Sequence, residues 1–204
     1  FFKPKSAYAV ASSRVVSEMC TLVRAQLTTV GEYLMFVGNE ALTHLDGFEA
    51  LTEVGGALYI GHSTALTRIG GFGALTQLGA ELFILYNGAL RTMDGLGNLT
   101  EVGGDIAIGF NPALAHIDGL NSLTTVGVEF GLMIYFNESL ATIDGLSNVS
   151  NAAITIADND ALTAINGFSN TSEVNFLQIT NNNALVHIDG FANLTHADGG
   201  LAIS

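Results

Sequence analysis

The chain holds one cysteine, Cys20, among 204 residues, so it can build neither an internal disulfide framework nor a multi-cysteine metal centre. Secreted chains commonly use cysteine pairs, and this scarcity on its own points away from an extracellular address. Basic residues are almost as scarce: six Lys plus Arg stand against nineteen Asp plus Glu, a net charge of −13. Such a surface repels phosphate backbones and anionic bilayers, which excludes nucleic acid and acidic membranes as expected partners. No apolar run approaches the roughly 18–20 residues of a membrane-spanning helix. Ala7–Ala11, behind Lys3 and Lys5, has the look of a signal-peptide tail, but its apolar run is shorter than the roughly 7–15 residues required. Charged residues make up only 12% of the chain and hydrophobic ones 49%, so a packed interior is expected and disorder is not.

What the chain does have is a repeated unit. Val102–Thr125 reads V-G-G-D-I-A-I-G-F-N-P-A-L-A-H-I-D-G-L-N-S-L-T-T, and Val54 opens a similar unit two periods of 24 residues earlier. A fixed period of this size signals a solenoid, in which each unit buries its apolar face only against its neighbours. Units begin at Val30, Val54, Leu78, Val102 and Val126; the fifth carries two extra residues, and the sixth is compressed around Ile154-Thr155-Ile156. The seventh holds Leu177-Gln178-Ile179, and an eighth opens at Leu201-Ala202-Ile203. The protein is therefore expected to continue beyond Ser204, and a chain opening on Phe1 to be processed or a fragment. Two regions are expected: an N-terminal segment, 1–29, and a repeat domain, 30–204. Across Ala7–Ala25 the spacing of Val15, Val16, Met19, Cys20, Leu22 and Val23 predicts an amphipathic helix capping the first coil.

The columns of the unit are regular. An apolar–x–apolar triplet predicts a short strand with its flanking residues inward and its middle residue outward. Asn follows three residues later (Asn39, Asn87, Asn111, Asn137, Asn159, Asn182), with Ser63 the exception. Next come an L-x-x-I step, as in Leu114 and Ile117, and a turn at Asp46, Asp94, Asp118, Asp144, Asn166 or Asp189, where Gly70 stands in the second unit. A Phe or Leu column from Phe48 to Phe191 then fills the interior. The Asn and Asp columns are expected to be structural turn locks bonded to nearby backbone amides, with the glycine after Asp supplying positive φ. Strands stacked about 4.8 Å apart give a parallel sheet and a rod of roughly 35 Å for seven coils.

The motif V-G-G-x-L-x-I-x-x-N-x-x-L-x-x-I-x-G-L-x-x-L-T, recurring through residues 30–204, resembles the leucine-rich-repeat-like β-helix of the receptor L-domain family. The resemblance implies a right-handed parallel β-helix, an extracellular or cell-surface setting, and binding or structural work in place of catalysis. This chain reads N-x-x-L after its strand, as in Asn111 to Leu114, where an ordinary leucine-rich repeat reads N-x-L; that favours a β-helix over a horseshoe. The cysteine-rich modules that flank receptor L domains do not occur, which removes support for a hormone-receptor role, and no lipid-anchor signal is visible.

Candidate chemistry is sparse. His44, His116 and His187 share one column three coils, about 14 Å, apart, too far for one metal ion whose ligands lie about 2 Å away. The Asp column could imitate the carboxylate pair of a β-helical polysaccharide-degrading enzyme. Catalytic residues should be exceptions within a repeat, and these are the rule; Asp158-Asn159-Asp160 likewise lacks a calcium-loop pattern. No catalytic residue, metal site or cofactor is expected. Sequons occur at Asn98, Asn137, Asn148, Asn170 and Asn193; all but Asn137, which also belongs to the Asn column, fall in one exposed edge loop. The outward strand column runs Met35, Tyr59, Phe83, Ala107, Met133, Thr155, Gln178, Ala202, and its large apolar members Met35, Tyr59, Phe83 and Met133 are the candidate partner face. A regular Thr array of the ice-binding type is not present in it. Expected functions are a non-enzymatic surface module binding protein or glycan through this face, or a structural subunit assembling through its solenoid ends into a filament or wall layer.

Overall fold

Alternation within each apolar–x–apolar triplet puts its flanking side chains on one side of the pleat and its middle one on the other. In the computed structural model, which describes residues 9–11 and 26–204, the triplets are strands Leu34–Val37, Leu58–Gly61, Leu82–Leu85, Ile106–Gly109, Leu132–Tyr135, Ala153–Ala157, Phe176–Thr180 and Leu201–Ile203. They pair in chain order into one parallel sheet, and equivalent columns meet: Met35 with Tyr59, Tyr59 with Phe83, Phe83 with Ala107, Ala107 with Met133. Shorter parallel ladders, through Val30, Val54, Leu78 and Val102 and through Leu45 and Ile69, form the other walls. The result is a nearly all-β solenoid of about 7 turns, with coils about 24 residues apart.

The core is the set of inward columns. Leu58, Leu82, Ile106, Leu132 and Ile154 from the long sheet have no exposed surface, nor do Leu66, Leu90 and Leu114 or the Phe/Leu column at Phe48, Phe72, Leu96, Leu120 and Leu146. Each such burial is worth roughly 1.5–3 kcal/mol, and no coil keeps that gain without a neighbour above and below. In the first coils, Phe36, Phe48 and Phe72 pack ring to ring at centroid distances of 5.2–6.3 Å.

The asparagines are buried, and they lock coil to coil more than they lock their own turns. Asn87 N–H donates to Asn111 Oδ1 (3.0 Å), Asn111 N–H to Asn137 Oδ1 (3.2 Å), Asn137 N–H to Asn159 Oδ1 (3.1 Å) and Asn159 N–H to Asn182 Oδ1 (3.1 Å). Each Nδ2 returns to a strand carbonyl of the preceding coil, Asn111 to Ile84 (2.9 Å) and Asn137 to Ile108 (3.0 Å). Ser63 keeps the column intact by accepting from Asn39 N–H at 3.3 Å. A second seam runs along the Thr column, where the hydroxyls of Thr52, Thr76, Thr100 and Thr124 each donate to the carbonyl 24 residues earlier.

Two expectations are corrected. Of the glycines after the Asp column only Gly47 has positive φ (98°); Gly95, Gly119, Gly145, Gly167 and Gly190 do not. Glycine is required there for close stacking: a Cβ on Gly95 would lie 2.6 Å from the Gly70 carbonyl carbon, and one on Gly145 would lie 2.5 Å from Ile117 O. The Asp and Asn side chains of that column are exposed, and their bonds run sideways to other side chains, as from Thr142 Oγ1 (2.6 Å) and Asn166 Nδ2 (2.9 Å) to Asp144. The second correction is at the N-terminus. Ala9–Ala11, inside the stretch expected to be helical, is a strand paired in parallel with Leu34–Phe36. Pairing satisfies the edge N–H and C=O groups of the first full coil, which outweighs local helical spacing. The remainder of the expected capping helix lies outside the described residues.

The Asn column yields a direct test. Asn111→Ala strands the buried Asn87 N–H and one hydrogen of the Asn87 Nδ2, whose other hydrogen still reaches Ile60 O, at roughly 1–3 kcal/mol each. Thermal unfolding followed by circular dichroism should show a destabilisation of about 2–4 kcal/mol, or roughly 5–15 °C in Tm. The exposed Asn183→Ala, by contrast, should shift stability by no more than about 0.5 kcal/mol. Equal effects would mean that water satisfies these amides and the column does not.

Candidate functional site

The pleat gives the long sheet an outer face of three columns. Tyr33, Ala57, Glu81 and Asp105 form the first; Met35, Tyr59, Phe83, Ala107 and Met133 the second; Val37, Gly61, Leu85, Gly109 and Tyr135 the third. Beyond the fifth coil the second and third columns carry Thr155, Ala157, Gln178 and Thr180 while the first carries Ala153 and Phe176, so on the second and third columns the large apolar side chains stop partway along the rod. Met35, Tyr59 and Phe83 are brought together, half-buried, in an open groove of about 660 Å³ lined by Tyr33, Met35, Ala57, Tyr59, Glu81, Phe83 and Leu85. Tyr59 meets Phe83 edge to face at 6.1 Å. Met133 is not among the lining residues; Ala107, itself buried, separates it from Phe83. Two glycines shape the face. A Cβ on Gly61 would lie 3.0 Å from the Tyr59 ring, and one on Gly109 would lie 2.8 Å from the Tyr135 ring, so both tyrosines rest where a side chain would otherwise stand.

Along the edge after the strands runs a feature the sequence reading missed. His62, Tyr86, Phe110 and Phe136 all have left-handed φ (53°, 60°, 55° and 51°) and stack face on face, with centroids 4.7, 4.5 and 4.9 Å apart. Tyr135 closes edge-on against Phe110 at 5.4 Å. A bulky residue at left-handed φ costs about 1–2 kcal/mol. Three ring stacks return about 0.5–1.5 kcal/mol each. Stacking therefore offsets only part of the strain, and Gly38, Asp158 and Asn181 occupy the same column at lower cost. Local stability does not by itself select four rings here. The ladder was legible as aromatics one full coil apart, at 62, 86 and 110, but it sits between strand and Asn, at a position read as a spacer.

The electrostatics of the face are one-sided. Lys3, Lys5, Arg14 and Arg24 precede Gln26, so Arg68 and Arg91 are the only Lys or Arg among the described residues, and none follows Arg91. Arg68 lies on the short ladder beside His44, 3.9 Å from Asp94, away from the long sheet. Glu81 lines the groove. Asp105 beside it accepts Phe130 N–H (3.0 Å) and Gly131 N–H (2.8 Å), which pins the two-residue insertion of the fifth coil. That insertion leaves Val128 and Phe130 exposed by 73% and 60%.

The other sequence candidates are scattered. Asn98, Asn148, Asn170 and Asn193 are exposed on one edge; the Asn170 Nδ2 donates to Asn148 Oδ1 (2.9 Å) and the Asn193 Nδ2 to Ser169 O (2.7 Å). Asn137 is fully buried in the Asn column and is closed to a modifying enzyme in the folded chain. The carboxylates at Asp46, Asp94, Asp118, Asp144 and Asp189 are exposed turn residues, as are His44, His116 and His187 on the column before them. Among the described residues no three His, Cys, Asp or Glu side chains converge as a metal site.

The tyrosines of the face can be followed spectroscopically. Burial, and secondarily Tyr86, raises the Tyr59 pKa above its ordinary 10.0; burial, then Tyr86 and Tyr59, does the same for Tyr135. Each is neutral over a wider pH range when folded, so the stability it confers is complete below the unfolded value and is lost as pH rises through the folded one. Absorbance at 295 nm should show a late-titrating tyrosine class that shrinks in Tyr59→Phe. Stability to denaturant should begin to fall only above about pH 10. Early titration of every tyrosine would mean that the face is fully hydrated.

Comparison with family models, curated proteins and solved structures returned no match for this chain, so its functional reading rests on the face itself.

Proposed function

We propose that this protein is a non-enzymatic repeat module of the cell surface or extracellular space that holds a partner on the outer face of its long sheet. The observation that carries this is the division of that face. Coils one to five place Tyr33, Met35, Tyr59, Phe83 and Tyr135 outward, where coils six and seven place Thr155, Ala157, Gln178 and Thr180 on the second and third columns and a single ring, Phe176, on the first. The fold needs only the inward columns, and the second and third columns of coils six and seven are filled by small or polar residues. Contiguous half-exposed rings in a chain otherwise rich in acidic residues are the composition of an interface core. The resemblance of the repeat to the receptor L-domain family adds support, as does the edge of exposed sequons, which suits a secretory route. A binding role also accords with an Asp column that recurs at nearly every turn and singles out no coil for chemistry.

Replacing Tyr59 and Phe83 together with Ser should abolish partner capture from the source organism's surface and extracellular fractions while the circular dichroism spectrum stays unchanged. Thr155→Ser with Gln178→Ser in coils six and seven should leave capture intact. Retention of every wild-type partner by the Tyr59/Phe83 variant would refute the face reading. For the setting, proteolytic peptides of native material that contain Asn148 or Asn170 should be heavier than their bare sequences, and the excess should vanish in Asn148→Gln and Asn170→Gln. Bare-sequence masses would remove the sequon support.

A further inference from the structure

We propose that the partner is a basic polypeptide segment, its apolar side chains seated in the groove between Tyr59 and Phe83 and its Lys or Arg heads set against Glu81, Asp105 and the surrounding rings. This rests on the face being a binding surface and names the chemistry of what it binds.

Three observations converge on that class. The lining of the groove is mostly apolar, with one carboxylate at Glu81 and the phenols of Tyr33 and Tyr59 as its polar groups. A sugar chain carries a hydroxyl on most carbons and would leave many of them unpartnered on such a lining. Side chains of Leu, Ile or Phe type would not. Second, Glu81 and Asp105 stand side by side immediately before adjacent strands at the margin of the rings, and among the described residues the only Lys or Arg, Arg68 and Arg91, lie on or beside the short ladder through Arg68. Asp105 accepts two bonds from the Phe130 loop, and a carboxylate has about four acceptor positions, so it keeps capacity for a cation. Tyr and Phe rings within about 6 Å of an ammonium or guanidinium add cation–π attraction, which neutral and anionic partners do not gain. Third, the chain's net charge of −13 disfavours the other occupants. A second copy laid face to face would set Glu81 and Asp105 against carboxylates of its own kind, and an anionic bilayer would be repelled. Coils one to four, from Tyr33 to Asp105, at about 4.8 Å each give a track of roughly 15 Å, the length of about four or five extended residues.

The probe is a short synthetic peptide of alternating lysine and leucine, titrated by calorimetry against the full chain beside the same peptide with glutamate for lysine and a linear glucan oligosaccharide. The lysine peptide should bind, the glutamate peptide should not, and added salt should weaken binding because the charges are partly exposed. Glu81→Gln should weaken the lysine peptide by about fivefold or more, an effect in the range of a lost interfacial charge contact. The Tyr59→Ser/Phe83→Ser variant should weaken it by more than about tenfold, as loss of a central anchor does. Glu173→Gln removes the same charge from a different wall and should leave binding unchanged. Equal losses at Glu81 and Glu173 would reduce the effect to net charge and overturn the proposal, as would equal binding of the glutamate peptide or no binding of the lysine peptide. Glucan binding that is lost in the Tyr59/Phe83 variant, with no lysine-peptide binding, would sink the basic partner while sparing the face as a binding surface.

Discussion

An amide side chain can sit in an apolar core only when all its donors and acceptors find partners, and in this chain those partners are supplied by the coil above and the coil below. The Asn column thereby imposes the strictest geometric condition on the rod. It holds through irregular coils: the step from Asn111 to Asn137 is 26 residues, and the next, to Asn159, is 22. The column stays continuous across both, so the extra residues are expelled into the loop that exposes Val128 and Phe130. Register on one corner fixes register on the whole sheet, because a one-residue slip would turn the inward Leu and Ile columns toward solvent.

Once register is fixed, any side chain repeated at the period becomes a physical column, and columns differ in how freely they vary. Inward positions are held to Leu, Ile, Val and Phe by close packing, and the glycines at 95, 119 and 145 by backbone contact with the preceding coil. The outward strand column and the left-handed corner column carry no such demand. The corner accepts Gly38, His62, Tyr86, Phe110, Phe136, Asp158 and Asn181 in turn. These two columns carry the outward rings Tyr59, Phe83, Tyr86, Phe110 and Phe136, while Phe36, Phe48, Phe72 and Phe168 fill the core.

Much of this was legible in the sequence. The period located every strand of the long sheet after the first, and the inward assignment of the triplet flanks agrees with their burial in coils one to seven, whereas Leu201 and Ile203 of the eighth are exposed. The Asn column was legible as structural, but its direction was not: a motif shows which residue recurs and leaves open whether it bonds within its turn or across coils. The glycines after Asp were assigned to positive φ because a turn is a local idea, whereas their true constraint, the carbonyl of the coil before, lies about 24 residues away. Ala9–Ala11 was drawn into a helix for a related reason, since helical spacing is local and the edge that recruits those residues is not. The groove was half legible: Met35, Tyr59 and Phe83 fell in one column, while Tyr33, Leu85 and the ring ladder belong to neighbouring columns that meet them only in the folded sheet.

The irregularity at the fifth coil has a functional bearing. A solenoid can lengthen or shorten any loop, yet here the longest coil falls where the second and third columns of the face pass from Met133 and Tyr135 to Thr155 and Ala157. Asp105, on the first column of that face, spends two acceptor bonds holding the inserted segment, so the insertion is tied to the face and does not simply project from a distant corner. Phe136 ends the ring ladder in the same coil, and Asp158 takes its place in the next. Loop, ladder and strand column therefore change character together within one coil of each other. The proposed partner face over the first five coils would have the inserted loop as its margin, and these three changes would then share one edge.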